Sequence, residues 1–521
     1  MKLVQSTWFK NYDRIQGNWP DEKFALFSIS LSHHFLKKQG LPVRLNTNST
    51  GFDIVVDRLG LEYTEVDLCL EADRIDADVR PLFDRYWSLN KLYAYSLVKE
   101  PFIHFDNDVY FLKKLDQSWE NAALVAQNQE TNLPYYTTCL AQIQQHFTYV
   151  PTYLNVKPES ALAVNAGIAG GAHFGFFQQL YCEVIEFLIS NAQHLDLLPD
   201  GFDNIFIEQC MFKSLANHLD LPFQYILKDT IGPSKKYRVN QFHQLPRGAD
   251  YIHVMNYKSN PTICESIAKT LYYADKKLYH HCIHVAKSLR GGKQHAPRQQ
   301  SDNSDSNASG KLKYFFQRTT RVWRSLTDLT LNFESIEKLS EAILKVKGRL
   351  RESNFLIVQD VFAFEFERYQ FFTTLDPDYT ARKYRDFVGF QSAIRQEDWK
   401  EGRLCWSESA KLIESRWNWV ECNEFLEVET NHYLTNLKLN PGYFATLLYY
   451  YPEQNTPKEQ PIDLIDTLVI KLARKGTTVS DLVASVIELL KEQNSAVLGE
   501  ELLLDRVRFF AFHGVLVVNN E

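Results

Sequence analysis

The chain has 521 residues, a formal net charge of −7, and 45 % hydrophobic and 23 % charged residues. This length and composition predict several folded domains, and they exclude a largely disordered chain or a generally basic, nucleic-acid-binding surface. The N-terminal residues lack the apolar stretch of a signal peptide, and no uncharged apolar run reaches the roughly 18 residues of a membrane span. None of the eight cysteines forms a CxxC pair, which favours reduced thiols, so we expect a cytoplasmic protein.

One stretch of the sequence divides the chain. Residues 290–310 contain no large apolar side chain, so they cannot bury enough surface to offset the entropy cost of ordering. We predict a flexible linker there, following a domain of residues 1–289. Beyond the linker we predict a mixed helical and α+β region at 311–455 and a terminal module at 456–521.

Residues 1–289 alternate between segments of strand character and segments of helix character. The predicted strands lie at 3–8, 42–46, 63–70 and 101–105. The predicted helices lie at 21–38, 50–59 and 87–98. This alternation is typical of helices packed on a largely parallel α/β sheet.

The C-terminal half has a different pattern. Residues 311–351 are strongly helical in pattern, whereas 354–450 are mixed and aromatic-rich and predict no particular element. Near the end, apolar stripes predict helices at 462–475, 478–490 and 500–512, followed by a strand at 515–518. Three short helices and a strand resemble a winged-helix module.

Two roles fit such a module. It could capture a peptide or protein, as similar modules do when a peptide adds a strand to a sheet edge. It could equally serve in packing or in forming a homodimer, without any ligand. DNA binding is disfavoured, because the last predicted helix begins with Glu500 and Glu501 and carries few basic residues.

The segment 102–110 carries the strongest functional signal. An apolar strand ends at Asp106-Asn107-Asp108, which places two carboxylates at the sheet edge where α/β proteins bind ligands. Carboxylate oxygens in this arrangement hold hard cations such as Mg²⁺ or Mn²⁺. A cation there would bridge a diphosphate and stabilise the charge of a departing nucleoside diphosphate. Two carboxylates in this spacing, taken by themselves, also fit a solvated surface turn.

Two later segments could add to such a site. The Gly-rich segment 164–171 would let the backbone approach a ligand closely, although a tight turn explains it as well. The segment 203–209 would place Asn204 and Glu208 four residues apart on one face of a helix. A helix face that is simply exposed to solvent is the alternative interpretation.

Basic residues near these segments could complete the site. A strand in segment 251–258 ends at His253, whose neutral imidazole could be a metal ligand, although a buried core histidine is the alternative. Lys258 could contact phosphate. Lys91, on the helix before the acidic turn, could reach the nucleotide or its phosphates, or be solvated.

In this order, the four segments resemble the GT-A glycosyltransferases, in particular the branch of glycogenin and the bacterial lipooligosaccharide galactosyltransferases. The resemblance covers about residues 1–285 and is one of order and pattern. It implies a nucleotide-diphospho-sugar transferase fold, which is a Rossmann-like mixed sheet flanked by helices. It also implies metal-dependent transfer of a hexose from a nucleotide sugar, in the first place a UDP-sugar, to a hydroxyl of a glycan, peptide or protein.

The resemblance implies roles for single residues. The implied ligands of Mn²⁺ or Mg²⁺ are Asp106, Asp108 and His253. The implied donor-binding residues, besides Lys91, are Asp106 at the ribose, Asn165 and Gly170 at the sugar, and Lys258 at the diphosphate. The implied catalytic residues are Asp203 and Glu208, which would orient the acceptor or take its proton.

The sequence also departs from that branch. Its acceptor-side Asp-Gln-Asp is only approximated by Asp203 and by Glu208-Gln209, and Lys258 comes one residue early. Two other classes of protein remain open. One is a metal-dependent phosphoryl or nucleotidyl transferase, and the other is a non-catalytic peptide- or carbohydrate-binding scaffold with a degenerate transferase fold.

Overall fold

The structure is a computed structural model. It describes residues 1–12, 17–235, 237, 239–291, 308–376, 378–420, 441–454, 456–492 and 499–519. The chain divides into two compact units, unit 1 at residues 1–293 and unit 2 at residues 294–521. Most of the predicted linker, residues 292–307, lies outside the described residues. The described residues at its two ends belong to helices, and the linker stays a prediction.

The strands of unit 1 are β1 (Lys2–Thr7), β2 (Val43–Thr47), β3 (Glu65–Asp67), β4 (Phe102–Phe105), β5 (Val109–Phe111), β6 (Leu124–Thr131), β7 (Leu162–Gly171), β8 (Phe223–Tyr225) and β9 (Tyr251–His253). Seven of them form a mixed sheet in the order β3-β2-β1-β4-β7-β6-β8, and β5 and β9 form a separate pair.

The helices of unit 1 pack around these strands. They are α1 (Glu22–Lys37), α2 (Ser49–Phe52), α3 (Arg80–Arg85), α4 (Trp87–Ser96), α5 (Pro134–His146), α6 (Gly175–Ser190), α7 (Phe202–Ile205), α8 (Met211–His218), α9 (Pro261–Ala274) and α10 (Lys276–Gly291). Helix α2 continues into a π-helical turn at Asp53–Arg58, and α7 continues into another at Phe206–Cys210.

The sheet is rich in parallel pairs, as the sequence predicts. Strand β1 runs parallel to β2 and β4, β2 runs parallel to β3, and β6 runs parallel to β8. Strand β7 is inserted antiparallel between β4 and β6. The carboxyl ends of β1 and β4 therefore meet at one edge of the sheet, next to the middle of the long β7.

Local sequence signals account for the first elements. The Asp21 side chain caps α1 by accepting a hydrogen bond from the Lys23 N–H at 2.9 Å, and the apolar stripe with Phe24, Phe27 and Leu31 is buried. Gly60, at a φ of +67°, follows the helical segment that the sequence places at 50–59. The predicted strand at 63–70 is shorter than expected, since only β3 forms there.

The Gly-rich segment 164–171 is neither a turn nor a ligand-binding loop. It is the greater part of β7, fully within the sheet. Its small residues serve close packing between strands, because a Cβ at Gly170 would overlap the backbone of Phe102. The segment 203–209 also differs from the expected regular α-helix, since α7 widens into a π-helical turn.

Unit 2 combines helices with two small antiparallel sheets. The helices are α11 (Ala308–Phe315), α12 (Gln317–Leu326), α13 (Ile336–Lys345), α14 (Glu352–Thr373), α15 (Tyr379–Ala393), α16 (Leu464–Ala473), α17 (Val479–Glu492) and α18 (Glu500–Phe512). The strands are β10 (Arg403–Trp406), β11 (Ala410–Ser415), β12 (Phe444–Tyr451), β13 (Thr456–Ile462) and β14 (Leu516–Asn519).

The end of the chain follows the predicted order of three helices and a strand. Strand β14 pairs antiparallel with β10, and β11, β12 and β13 form the other sheet. The identification of this end as a winged-helix module stays a prediction. None of the described helices has both the length and the apolar character needed to cross a bilayer.

The packing of β7 against β4 generates a prediction for Gly170→Ala. We expect a loss of about 1–3 kcal/mol of stability, because the added methyl group must displace backbone atoms of the neighbouring strand. Gly175→Ala is the matched control, since a Cβ at the start of α6 meets open space. Chemical denaturation followed by circular dichroism would measure both, and equal stabilities would contradict this packing.

Candidate functional site

Three side chains converge where β4 ends. Asp106 and Asp108 lie in the turn between β4 and β5, and His253 ends β9, where it pairs with Val109 of β5. One ligand atom from each of the three residues lies within 4.8 Å of the others. Two carboxylates and an imidazole are a suitable donor set for a divalent cation such as Mn²⁺. Within the described residues, no other such group of three is found.

The acidic turn is tied to the strands on both sides of it. The Asp106 N–H donates to the Gly167 carbonyl oxygen of β7 at 2.9 Å. The Asn107 carboxamide donates to the Ser6 carbonyl oxygen and the Thr7 hydroxyl, each at 2.9 Å, at the end of β1. Asn107 thus fixes the turn in place, with one carboxylate on either side of it.

His253 is held in the form that binds metals. Its Nδ1 lies 2.7 Å from the Gln127 carboxamide oxygen, so Nδ1–H donates there and the Nε2 lone pair remains, 3.8 Å from the Asp108 carboxylate. Burial lowers the pKa of His253, although Asp108 and Asp106 oppose the shift. The neutral imidazole that results is the metal-ligating state. Gly167 makes room for the ring, because a Cβ there would overlap it.

Two lysines contact the carboxylates of the turn. The Lys258 ammonium lies 3.2 Å from the Asp108 carboxylate. Burial would raise the pKa of Asp108, but the positive charge of Lys258 outweighs burial and lowers that pKa. The Lys91 ammonium lies 2.7 Å from Asp106 and also forms an ion pair with Glu208. Burial disfavours the charged form of Lys91, yet these two carboxylates raise its pKa well above the usual range.

The charges in this group do not balance. Three carboxylates, those of Asp106, Asp108 and Glu208, share two ammonium groups. Burial and the negative charge of Asp106 raise the pKa of Glu208, and Lys91 lowers it, with a net rise to about 7. A divalent cation bound at Asp106, Asp108 and His253 would offset this negative charge, so the residues present fit a metal ion.

Two cavities open beside the acidic turn, of about 470 and 460 Å³. The residues that line both cavities are Asn18, Trp87, Asp106, Asp108 and Lys258. The first cavity extends to the end of β1 at Ser6, Thr7 and Trp8. The second cavity extends along β6 and β7 to Glu130 and Asn165. Each is large enough for part of a small organic ligand.

The structure brings together most of the site residues expected from the sequence. The expected residues that form the metal cluster or line a cavity are Lys91, Asp106, Asp108, Asn165, Glu208, His253 and Lys258.

Two expected residues lie elsewhere. Gly170 pairs with Ile103 and Val125 inside the sheet, three residues or about 10 Å along β7 from Gly167. The Asp203 carboxylate accepts from the Asn204 backbone N–H at 2.7 Å and lines neither cavity. Gly170 therefore serves strand packing, and Asp203 stabilises the start of α7.

The sequence analysis missed other residues of the site. Glu130 and Tyr237 line the second cavity, Gln127 orients His253, and Trp87 stands between the cavities with half of its surface exposed. Glu130 and Gln127 lie on β6, a strand that no motif marks. The unbroken polar run 127–131 within this strand is the signal that could have revealed them, because polar side chains inside a buried strand need partners.

Comparison with known proteins assigns the family. The mixed sheet and the group of two carboxylates and a histidine define an α/β protein with a candidate site for a divalent metal ion. The chain belongs to the family of unknown function DUF6734, whose model matches residues 1–285. No curated protein matches the chain. Among solved structures, the apo form of mouse xyloside xylosyltransferase 1 is similar, at 11 % identity and a TM-score of 0.28, over 43 % of this chain and 85 % of that chain.

The close approach of Gly167 to the His253 ring generates a prediction for Gly167→Ala. We expect Gly167→Ala to weaken Mn²⁺ binding about 10- to 100-fold, the range found when residues that orient metal ligands are changed. Isothermal titration calorimetry with Mn²⁺ would measure this, with Gly175→Ala as the control. Unchanged affinity in a folded Gly167→Ala protein would show that His253 is not a ligand.

The raised pKa of Glu208 predicts a pH dependence of stability. A carboxyl group whose pKa rises from 4.5 in the unfolded chain to about 7 in the folded one binds protons preferentially when folded. Its contribution to stability is present below pH 4.5 and is lost as the pH rises through about 7. The metal-free wild type should therefore lose melting temperature across this interval.

The matched variants for this measurement are Glu208→Gln, which removes the titrating group, and Glu159→Gln, which changes an exposed glutamate. Glu208→Gln should flatten the dependence of melting temperature on pH, whereas Glu159→Gln should leave it as in the wild type. A Glu208→Gln protein with the wild-type dependence would show that Glu208 does not titrate in this interval.

Proposed function

We propose that unit 1 is a metal-dependent glycosyltransferase of the GT-A type, which moves a hexose from a nucleotide diphosphate sugar to an acceptor hydroxyl. One observation carries this proposal. Asp106, Asp108 and Lys258 border both cavities, and His253, the third member of the metal cluster, borders the second. A ligand with two organic ends joined by a diphosphate matches this arrangement, because its charged centre would lie at the cation and the ammonium group.

The two cavities suggest how the donor would be oriented. The first cavity reaches the carboxyl end of β1, the edge at which open α/β sheets bind nucleotides, so we assign the nucleoside to it. The sugar would then enter the second cavity, beside Asn165 and Glu208. A UDP-sugar is the proposed donor, which rests on the resemblance to the glycogenin-like branch.

The residues of the chain would act mainly through positioning and charge. A bound Mn²⁺ or Mg²⁺ would supply stabilisation of the negative charge on the departing diphosphate. Lys258 would donate a hydrogen bond to a phosphate oxygen. Glu208, held in place by Lys91, would accept the hydrogen bond of the attacking hydroxyl or take its proton. Asp203 has no part in this scheme, since it lines neither cavity.

For unit 2 we propose a winged-helix-like module that captures a peptide or protein acceptor. Among the described residues, β14 pairs with β10 along one side only, which is compatible with the addition of a further strand. Packing in a homodimer is the competing role for the same module. Binding of candidate peptides to the full chain, compared with its sedimentation behaviour, would separate the two roles.

Metal-dependent nucleotide binding tests the proposal for unit 1. We expect UDP or another nucleoside diphosphate to raise the melting temperature of the wild type when Mn²⁺ is present and not when it is absent. A ligand at 100 times its Kd adds about 2.7 kcal/mol of stability, which is easily measured. Asp108→Asn should abolish this shift while it preserves the fold.

Asp196→Asn is the control, because the Asp196 side chain is 90 % exposed and lies outside both cavities. It should behave as the wild type does. A metal-dependent shift that survives in Asp108→Asn would overturn the metal assignment. The absence of a shift with every nucleotide in the wild type would overturn the donor site itself.

A further inference from the structure

A further buried carboxylate, that of Glu130, lies on the β6 wall of the second cavity. Its side chain is 1 % exposed. Its Oε1 accepts hydrogen bonds from the Tyr237 hydroxyl and, at 3.2 Å, from the Asn165 carboxamide. Its Oε2 accepts from the Tyr136 hydroxyl. All three donors are neutral, so they fix the carboxylate in place without cancelling its charge.

The Glu130 carboxylate is also connected to the turn that carries Glu208. The Tyr136 hydroxyl lies 2.6 Å from the side chain of Gln209, the residue after Glu208. The Gln209 carboxamide oxygen accepts from this hydroxyl, so Gln209 and Glu130 share the single phenol proton of Tyr136. Strand β6 and the π-helical turn, which both line the second cavity, are thus joined through Tyr136.

This geometry leaves Glu130 with capacity for a ligand. An ionised carboxylate offers about four lone-pair positions, and the protein donors occupy three of them. Because Glu130 lines the cavity, the remaining position is available to a ligand there. A buried carboxylate is costly unless hydrogen bonds satisfy it, so a further donor from a ligand would bind favourably.

The rest of the cavity indicates what this ligand is. Four carboxylates line the second cavity, those of Asp106, Asp108, Glu130 and Glu208. An anion would be repelled along the β6 wall, away from Lys258. A neutral molecule with several hydroxyl groups suits a wall of carboxylate, amide and phenol groups. Trp87, half exposed at the rim, offers an aromatic face to the apolar side of such a ring.

We propose that Glu130 accepts a hydrogen bond from a hydroxyl of a sugar ring bound in the second cavity, and that it thereby selects the sugar. This inference rests on the proposed function of unit 1. The ring could belong to the donor or to the acceptor, since both present the same hydroxyl chemistry. A site built to bond a hydroxyl rejects an analogue that lacks it, because the buried carboxylate is then left without its partner.

The test uses the full chain with Glu130→Gln, Tyr237→Phe and the exposed control Glu159→Gln. Three quantities are measured for each: Mn²⁺-dependent UDP affinity, hydrolysis of a panel of UDP-sugars without acceptor, and transfer to a panel of sugar acceptors. Glu130→Gln should keep UDP affinity within about twofold and lose about 10- to 100-fold in kcat/KM, as expected for one hydrogen bond to a charged group.

The pattern of loss identifies the ring. If hydrolysis and transfer fall together, and the variant discriminates less among donor sugars, the hydroxyl belongs to the donor. If hydrolysis is kept and the KM of the acceptor rises, the hydroxyl belongs to the acceptor. Tyr237→Phe keeps the Glu130 carboxylate but removes one of its hydrogen-bond donors, so it should show the same pattern of loss more weakly. If Glu130→Gln does not fold, the measurements on Tyr237→Phe decide the test.

Two results would overturn the inference. One is that hydrolysis and transfer by Glu130→Gln both remain within twofold of the wild type. The other is that UDP affinity falls in proportion to the rates, which would give Glu130 a structural role at the metal centre. Absence of metal-dependent UDP binding in the wild type is a different result, which contradicts the proposed function and not the role of Glu130 alone.

Discussion

The hydrogen bonds that hold the Asp106-Asn107-Asp108 turn determine the geometry of everything around it. The turn is bonded to β7 through the Asp106 N–H and to the end of β1 through the Asn107 carboxamide. These bonds exist because β7 runs antiparallel next to β4, so that its middle lies beside the point where β4 ends. The small residue Gly167 at this point then leaves space for the His253 ring. The metal cluster is thus a consequence of sheet topology.

The same turn concentrates buried charge that the protein alone balances only in part. Lys91 forms ion pairs with both Asp106 and Glu208, and burial raises the pKa of Glu208 although Lys91 opposes the shift. Groups whose pKa values are displaced in this way gather where ligands bind, because the environment that perturbs them is arranged for a partner that is not part of the chain. A cation with a bound anionic ligand would complete both the charge balance and the coordination.

What could be predicted from the sequence depended on whether the signal was local. Asp106 and Asp108 follow an apolar strand directly, and His253 and Lys258 lie within six residues of each other, so their order along the chain was informative. Glu130, Gln127 and Tyr237 were missed since only tertiary structure brings them to the cavity. The segment 164–171 was ambiguous, because small residues permit both ligand approach and strand packing. The pairing of β10 with β14 joins residues more than a hundred positions apart, so no local sequence pattern predicts it.

The two cavities restrict the kinds of ligand that fit the site more strongly than the metal cluster does. Many enzymes hold a cation with two carboxylates and a histidine, and such a cluster alone would serve a phosphatase or a nucleotidyl transferase equally well. Here the cluster has a cavity on each side, and the second cavity is lined by carboxylates, amides and phenols and has few cations. A second phosphate-bearing substrate would be repelled there, whereas a hydroxyl-rich one would find hydrogen-bond acceptors already in place. The distribution of charge across the two cavities therefore favours sugar transfer over phosphoryl transfer.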